Sequence, residues 1–394
     1  MLSRRAAVFS AAALALTAAS GTAHAAQPTA PRSGRVRLRL PAPGGPYEVG
    51  TLSRRLVDIS RGDPWHAAGH VRELMVSVRY PARCAGGGRR APQFLPGEAA
   101  GFDALNNLGG VPAGKVDWAA TLTHARTGAP VRRGPRPWPV LLYSPGVGDP
   151  RCFGSTLCDA LASHGYAVVT VDHTYDGSAV EFPGGRVERT VLPEEFEKTG
   201  GDPEKVRALL RKTLEVRVAD LRFVLDALPG ALPPDLLGVL DLARVGAFGQ
   251  SAGGFAALQA MYEDRRIGAG ADLDGVLAYV QEDSEPGHLS PVAAEGLDRP
   301  FLLAGKDGNS RRTMPSWASL WEHSTGRPRE ELVLRGAAHA TYTDAVAVVP
   351  QIARALDLPR GTVTELIGTI APHRAIAAQR TALTGFFGRT VGRG

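Results

Sequence analysis

The chain is poor in cysteine. Its 394 residues include three, Cys84, Cys152 and Cys158, too few for a disulfide framework, and without a Cys-x-x-Cys pair they do not suggest a zinc site. A single bridge, Cys152–Cys158 or Cys84–Cys152, is the most they allow. His-Glu-x-x-His and a P-loop are also missing, and Gly268-Ala-Gly270 lacks the third glycine of a dinucleotide fingerprint. The sequence therefore implies no metal and no organic cofactor. After the first residues, no apolar run approaches the roughly eighteen needed to cross a bilayer, and no internal repeat appears. The formal charge is +6, but the arginines are scattered and not gathered into a stripe, which argues against a nucleic-acid partner.

What is present begins with an export signature. Arg4 and Arg5 precede an apolar run from Ala6 to about Ala19, and Ala23-His24-Ala25 supplies an A-x-A cleavage pattern. Residues 1–25 are expected to be a secretory signal, with the mature chain starting near Ala26 outside the cytoplasm. Ser3-Arg4-Arg5 permits a twin-arginine route. Loss of the two arginines lowers the formal charge to +4. The remainder, 26–394, reads as a single domain with insertions at about 84–137 and 173–201, and its 44% hydrophobic content can bury a large core.

Periodicity sets the fold class. Tyr47–Ile59 and Glu73–Tyr80 alternate and suit an antiparallel pair at a sheet edge. The segment from Cys84 to Trp138 is rich in Gly, Pro and Arg yet carries Phe94, Phe102 and Trp118, so it is either a lid over the site or a piece packed on the domain's side. Pro139–Ser144 and Tyr166–Asp172 are continuous apolar strands flanking a helix at Thr156–His164, which makes a βαβ unit. A small hairpin is expected at 179–189. Asp202 caps a helix whose apolar residues recur at threes and fours until Pro229-Gly230 ends it. Further strands at 267–273, 300–304 and 331–334 alternate with helices near 316–324 and 345–356, and two short helices close the chain between Thr362 and Val391. The alternation predicts an α/β fold with a doubly wound, mostly parallel sheet, helices on both faces and the site at the carboxyl strand ends.

Chemistry concentrates at Gly249-Gln-Ser251-Ala-Gly253. The apolar run Val245–Phe248 precedes it and small residues at helical spacing follow, so Ser251 falls on a strand-to-helix turn of the nucleophile-elbow type, where a Cβ on either glycine would collide. Pro145-Gly146-Val147-Gly148-Asp149 leaves another strand and can aim backbone N–H groups into a site. In a fold with such a serine turn the triad runs Ser, then Asp or Glu, then His in chain order, leaving His288, His323, His339 and His373 as candidate bases. His339 follows strand Glu331–Arg335 through Gly-Ala-Ala and so lies on a loop at a strand's end. His323 lies within a helix and His373 begins one. Asp274 and Asp307 both follow strands and compete to orient His339. An acid that fixes a tautomer should be buried, which the end of an apolar strand supplies better than the turn Lys306-Asp-Gly-Asn309.

These residues resemble the secreted platelet-activating factor acetylhydrolases and their bacterial lipase and esterase relatives within the α/β-hydrolases. The likeness covers about 138–391 and rests on Leu142–Gly148, Leu161–Val168, Val171–His173, Val245–Gly254, Ala271–Gly275 and Gly336–His339, in the same order with similar gaps. It implies Ser251 as nucleophile, Asp274 as acid, His339 as base, and the N–H groups of Val147 and Ala252 as the oxyanion hole. Asp307 is the alternative acid, at the place where many other α/β-hydrolases carry theirs. Two departures stand out: Gln250 replaces the histidine usual before the serine, and Pro145 replaces the histidine of the oxyanion turn. The expected partner is a small-molecule or lipid ester, with room for a transient contact with a lipid surface. A binding protein that kept this fold but lost its chemistry is the rival from another class, although no triad member is missing; among enzymes, a lipase or polyester hydrolase and a short-chain carboxylesterase compete with a phospholipid acetylhydrolase.

Overall fold

The computed structural model describes residues 34–392 except 67–68, 84–87 and 285–286. The signal-like stretch 1–25 and Cys84 lie outside the described residues. The strands in chain order are β1 (Glu48–Gly62), β2 (Val71–Ala82), β3 (Arg90–Pro92), β4 (Leu122–Thr127), β5 (Trp138–Ser144), β6 (Ala167–Asp172), β7 (Ala179–Glu181), β8 (Val187–Arg189), β9 (Leu240–Gln250), β10 (Ile267–Leu273), β11 (Phe301–Gly305) and β12 (Arg329–Val333). Between and after them run α1 (Pro96–Leu105), α2 (Ser155–Ser163), α3 (Leu192–Lys198), α4 (Pro203–Ala231), α5 (Pro234–Leu237), α6 (Ala252–Glu263), α7 (Pro291–Glu295), α8 (Pro315–His323), α9 (Ala345–Leu356), α10 (Arg360–Ile367) and α11 (Pro372–Thr390).

Ten strands form one sheet in the order β12-β11-β10-β9-β5-β6-β2-β1-β4-β3. From β12 to β6 every neighbouring pair is parallel. Every residue of β5 and β6 is buried, because helices cover both sides and the strand has no polar face to show. One face carries α4, α6 and α8, whose Leu221, Val224, Leu258 and Trp317 share a core with Val140, Leu142 and Val245. Across the sheet, Leu157 and Leu161 of α2 and Leu383, Phe386 and Phe387 of α11 bury Leu141, Tyr143 and Phe248. The predicted doubly wound, mostly parallel sheet is what forms.

Several local expectations differ from the structure. The β1–β2 pair is antiparallel but interior: β2 joins β6, while β4 and β3 lie outside β1. The edge is thus built by residues of the segment read as a lid or side piece. That segment also supplies Phe94, Phe102 and Trp118, which pack with Phe153, Val348 and Ile352 in a separate cluster. The hairpin β7–β8 forms as expected. Helix α4 starts where Asp202 accepts from the N–H groups of Glu204 and Lys205, at 3.0 Å each, but it runs on through Pro229 to Ala231. Pro229 stands in the last turn; it removes the bond to the Leu225 carbonyl, and the helix ends two residues later. The terminal helix α11 has 19 residues and is not short. Cys152 and Cys158 are both buried free thiols, so no bridge joins them.

Candidate active site

Ser251, Asp274, His339, Asp307 and Val147 all follow carboxyl ends of sheet strands, after β9, β10, β12, β11 and β5 respectively. Ser251 has φ 57° and ψ −127°, a conformation that costs a non-glycine residue about 1–3 kcal/mol and survives only where its surroundings enforce it. They do so through backbone contacts. The Ser251 N–H donates to the Leu273 carbonyl at 2.9 Å, and its own carbonyl accepts from Gly254 at 2.9 Å and Phe255 at 3.1 Å. A Cβ on Gly249 would run into the Gly253 and Ser144 backbone, and one on Gly253 into the Ser144 and Pro145 carbonyls. The flanking glycines therefore let α6 start directly against the end of β5. This contact brings Ala252, the first residue of α6, beside the turn that carries Val147. The first N–H groups of a helix lack intrahelical partners and sit at its positive end, so they are suited to an anionic oxygen.

His339 and Asp274 meet. Asp274 Oδ2 accepts from His339 Nδ1 at 2.6 Å, while its Oδ1 accepts from the Lys306 N–H and from Asn309 Nδ2, each at 2.9 Å. The Asp274 side chain is 0% exposed and that of His339 48%. A carboxylate in that position requires the proton on Nδ1, leaving Nε2 as an acceptor. Nε2 is met by the side-chain amide Nε2–H of Gln250 at 3.0 Å. Among the described residues no hydrogen bond joins His339 to Ser251; Gln250 occupies that nitrogen.

Asp307 does something different. It is exposed, its Oδ2 accepts from the Gly336 N–H at 3.1 Å, and its own N–H donates to the Ala337 carbonyl at 3.2 Å. It ties the turn after β11 to the loop that carries His339 without touching the imidazole. Of the other histidines, His288 is exposed on the loop before α7, His323 ends α8 and donates from Nδ1 to the Ser319 carbonyl of its own helix at 2.9 Å, and His373 lies in the first turn of α11. None of these three is brought to the strand ends beside Ser251.

The turn after β5 is held by side chains that sequence reasoning missed. Arg217, in the middle of α4 and fully buried, donates to the Pro145 carbonyl at 2.6 Å and the Gly146 carbonyl at 3.0 Å. Its other face pairs with both oxygens of Asp176, at 2.6 and 2.7 Å. Asp176 Oδ1 also accepts from the Gly148 N–H at 3.3 Å. Alongside runs a second buried Ser-His-Asp chain: Ser144 Oγ lies 2.8 Å from His173 Nε2, and His173 Nδ1 lies 3.0 Å from Asp220 Oδ2. Burial holds His173 below the usual histidine range, so it is neutral and accepts the Ser144 hydroxyl. All three are shut away from solvent, and this chain braces the fold. A sequence signal existed: Arg217 and Asp220 fall on the apolar stripe of α4, between Leu214 and Leu221, where a charge is out of place.

On the open side of the turn, Asn107 Nδ2 donates to the Gly148 carbonyl at 3.0 Å and to Asp149 Oδ1 at 2.6 Å. Asp149 is half-buried. Burial pushes its carboxyl up to about 7, against the pull of His339 and Arg217. Among the described residues no cluster of His, Cys, Asp or Glu could hold a metal ion.

Residues 35–195 match the family described as platelet-activating factor acetylhydrolase, isoform II. A probable 1-alkyl-2-acetylglycerophosphocholine esterase of Arthroderma benhamiae is 28% identical over 369 residues, spanning 88% of this chain and 87% of that protein. The platelet-activating factor acetylhydrolase of Cavia porcellus is 27% identical over 252 residues, spanning 58% of this chain and 53% of its own length. Among solved structures, a ferulic acid esterase from Streptomyces cinnamoneus superposes with a TM-score of 0.71 at 34% identity, over 92% of this chain and 94% of that one. Near-complete coverage at that identity, with the sheet order and strand-end residues described above, leads to one conclusion: the chain belongs to the α/β-hydrolase family of platelet-activating factor acetylhydrolase-like esterases.

Proposed function

We propose that this chain hydrolyses carboxylic esters with Ser251 as nucleophile, through an acyl-enzyme. The observation that carries the reading is the His339–Asp274 pair at 2.6 Å, on the same edge of the sheet as the strained Ser251 turn. Family membership supports ester hydrolysis, and the strand-end geometry supports these residues for it. His339 Nε2 leaves Gln250 and takes the Ser251 proton as Oγ bonds to the ester carbon; such bonds commonly tighten only when substrate is present. The carbonyl oxygen becomes an oxyanion facing the N–H groups of Val147 and Ala252. The carbon–oxygen bond to the alcohol breaks, and the His339 proton goes to that oxygen. A water then loses its proton to His339, attacks the acyl carbon, and the acid leaves as Ser251 regains its proton.

The names of the relatives speak of an acetylated glycerophosphocholine and of ferulic acid. The 34% identity to the ferulic acid esterase over nearly the whole chain favours a second reading, an ester of an aromatic acid, beside a short-acyl lipid ester. Rates on p-nitrophenyl esters of rising chain length, a ferulate ester and a short-acyl phospholipid, with Ser251→Ala as control, separate the two. Wild type and Ser251→Ala equally inactive on all of them would replace this reading with that of a binding protein. The signal-like residues 1–25 support export, which N-terminal sequencing of secreted material checks; a retained Met1 in the native host would sink it.

A further inference from the structure

We infer that Arg217 is a positioning residue for the oxyanion hole, and that it sets the direction of the Val147 N–H from behind the turn. The inference rests on the proposed function and deepens it. In a trans peptide the C=O and the following N–H point in opposite directions. The Pro145 carbonyl accepts from Arg217 Nη1 at 2.6 Å and the Gly146 carbonyl from Nη2 at 3.0 Å. Both carbonyls therefore point inward, toward α4, and the N–H groups of Gly146 and Val147 point outward, away from the guanidinium. Two adjacent peptide planes are locked by one planar cation.

The cation is itself fixed. Asp176 takes Nε and Nη2 as a fork, at 2.7 and 2.6 Å, and Ser144 Oγ, the last residue of β5, lies 3.4 Å from Nη1. Ser144 in turn is held by His173, and His173 by Asp220 on the next turn of α4 from Arg217. The guanidinium thus spans α4, the loop after β6 and the turn after β5. The planar fork serves two carbonyls and both oxygens of a carboxylate at fixed angles; a lysine ammonium has three donors on one atom, on a shorter reach, and cannot reproduce all four contacts. Pro145 adds to the lock, since its ring fixes φ and supplies no N–H of its own.

Donors that are aligned before the reaction act on charge that develops in the transition state, so loosening them should lower kcat and leave ground-state binding alone. The test compares wild type, Arg217→Lys, Asp176→Asn and Ser251→Ala on p-nitrophenyl acetate. It then measures affinity for a matched pair of ligands: a trifluoromethyl ketone, which forms a tetrahedral adduct with a serine, and its methyl ketone, which binds without one. The expected result for folded Arg217→Lys is a fall in kcat of about 10–100-fold, part of the effect of deleting a donor. KM and the methyl ketone should change little, and trifluoromethyl ketone affinity should fall in step with kcat. Wild-type kcat and adduct affinity in folded Arg217→Lys would overturn the inference, as would an equal loss for both ketones, which marks a general collapse of the site. If Arg217→Lys does not fold, Asp176→Asn is judged by the same split, with a smaller loss in the same direction. Ester hydrolysis that survives in Ser251→Ala would instead overturn the proposed function, whatever the Arg217 variant does.

Discussion

Asp274 and Asp307 stand at the ends of adjacent strands, and what separates them is what their oxygens meet. Asp274 spends one oxygen on two donors of the β11 turn and the other on His339, so it fixes both its own rotamer and the imidazole's. Asp274→Asn should therefore lower kcat by about 10⁴ in a folded protein, because the amide cannot hold the Nδ1–H tautomer. Asp307→Asn should cost less than about tenfold, since its carboxylate meets a backbone N–H that an amide oxygen also satisfies; kcat of both variants on one ester decides the ranking. Asp149 offers a different measurement. Burial keeps its proton on up to about pH 7, whereas an unfolded aspartate releases it near pH 4. The folded chain thus binds more protons between those values, and stability falls as pH rises through that window. Asp149→Asn should raise the melting temperature at about pH 8 and leave it nearly unchanged at about pH 4. At this scale the sequence foretold position: Ser251, Asp274 and His339 each follow a strand end, and Asp274 is the aspartate that meets His339. It was silent on Asp149 and on the Gln250 bond to His339, because an amide or a carboxyl in a turn satisfies turn geometry whether or not it faces a site.

Elements were legible where one periodicity ruled. The apolar runs of β5, β6 and β9 and the three-and-four spacing of α4 need no partner to be recognised. The pairing of β4 with β1 was not legible, because it joins Gly50 and Thr51 to Arg126 and Thr127, far away along the chain, and no local pattern announces it. The β9 turn into α6 shows how far local rules reach. Gly253→Ala should abolish ester hydrolysis and lower the melting temperature, since its Cβ would run into the carbonyls of Ser144 and Pro145, which have no room to move. Gly268→Ala is the matched control. Its Cβ would sit an ordinary 3.6 Å from the Val245 carbonyl, so thermal melting and activity should stay close to wild type, within about 0.5 kcal/mol.

Among the described residues, three large buried clusters divide the load, one on each face of the sheet and a third beneath the segment between β2 and β5, with a small fourth of Met75, Val180 and Phe182. Phe102 in the third stacks at 5.0 Å from Phe94 and 4.8 Å from Phe153, and Phe102→Ala should cost about 3–5 kcal/mol in denaturant unfolding. Charges run through the same interior. Arg72, Arg151 and Arg217 are buried against Asp220, Asp172 and Asp176. Among these six, Arg217 and Asp220 alone carry a sequence signal, their place on the apolar stripe of α4. Burial also raises Asp344 to about 6, where it caps the start of α2 through the N–H groups of Ser155 and Thr156. Asp149 and Asp344 act in the same direction, lowering stability as pH rises above about 6, whereas buried His173, held below its usual range, opposes them at the acid end of that window. The close fit of Gly249 and Gly253 against the end of β5 has a consequence for how such a protein can change. The serine turn and the turn after β5 meet backbone to backbone at Gly249 and Gly253, whereas Leu105 and Asn107, which lie beside Gly148, come from a separate stretch of chain. On the proposed function, reaction and selectivity are thus written in different segments, and exchanging residues 93–121 for a relative's should change kcat/KM across a panel of esters more than it changes kcat on p-nitrophenyl acetate.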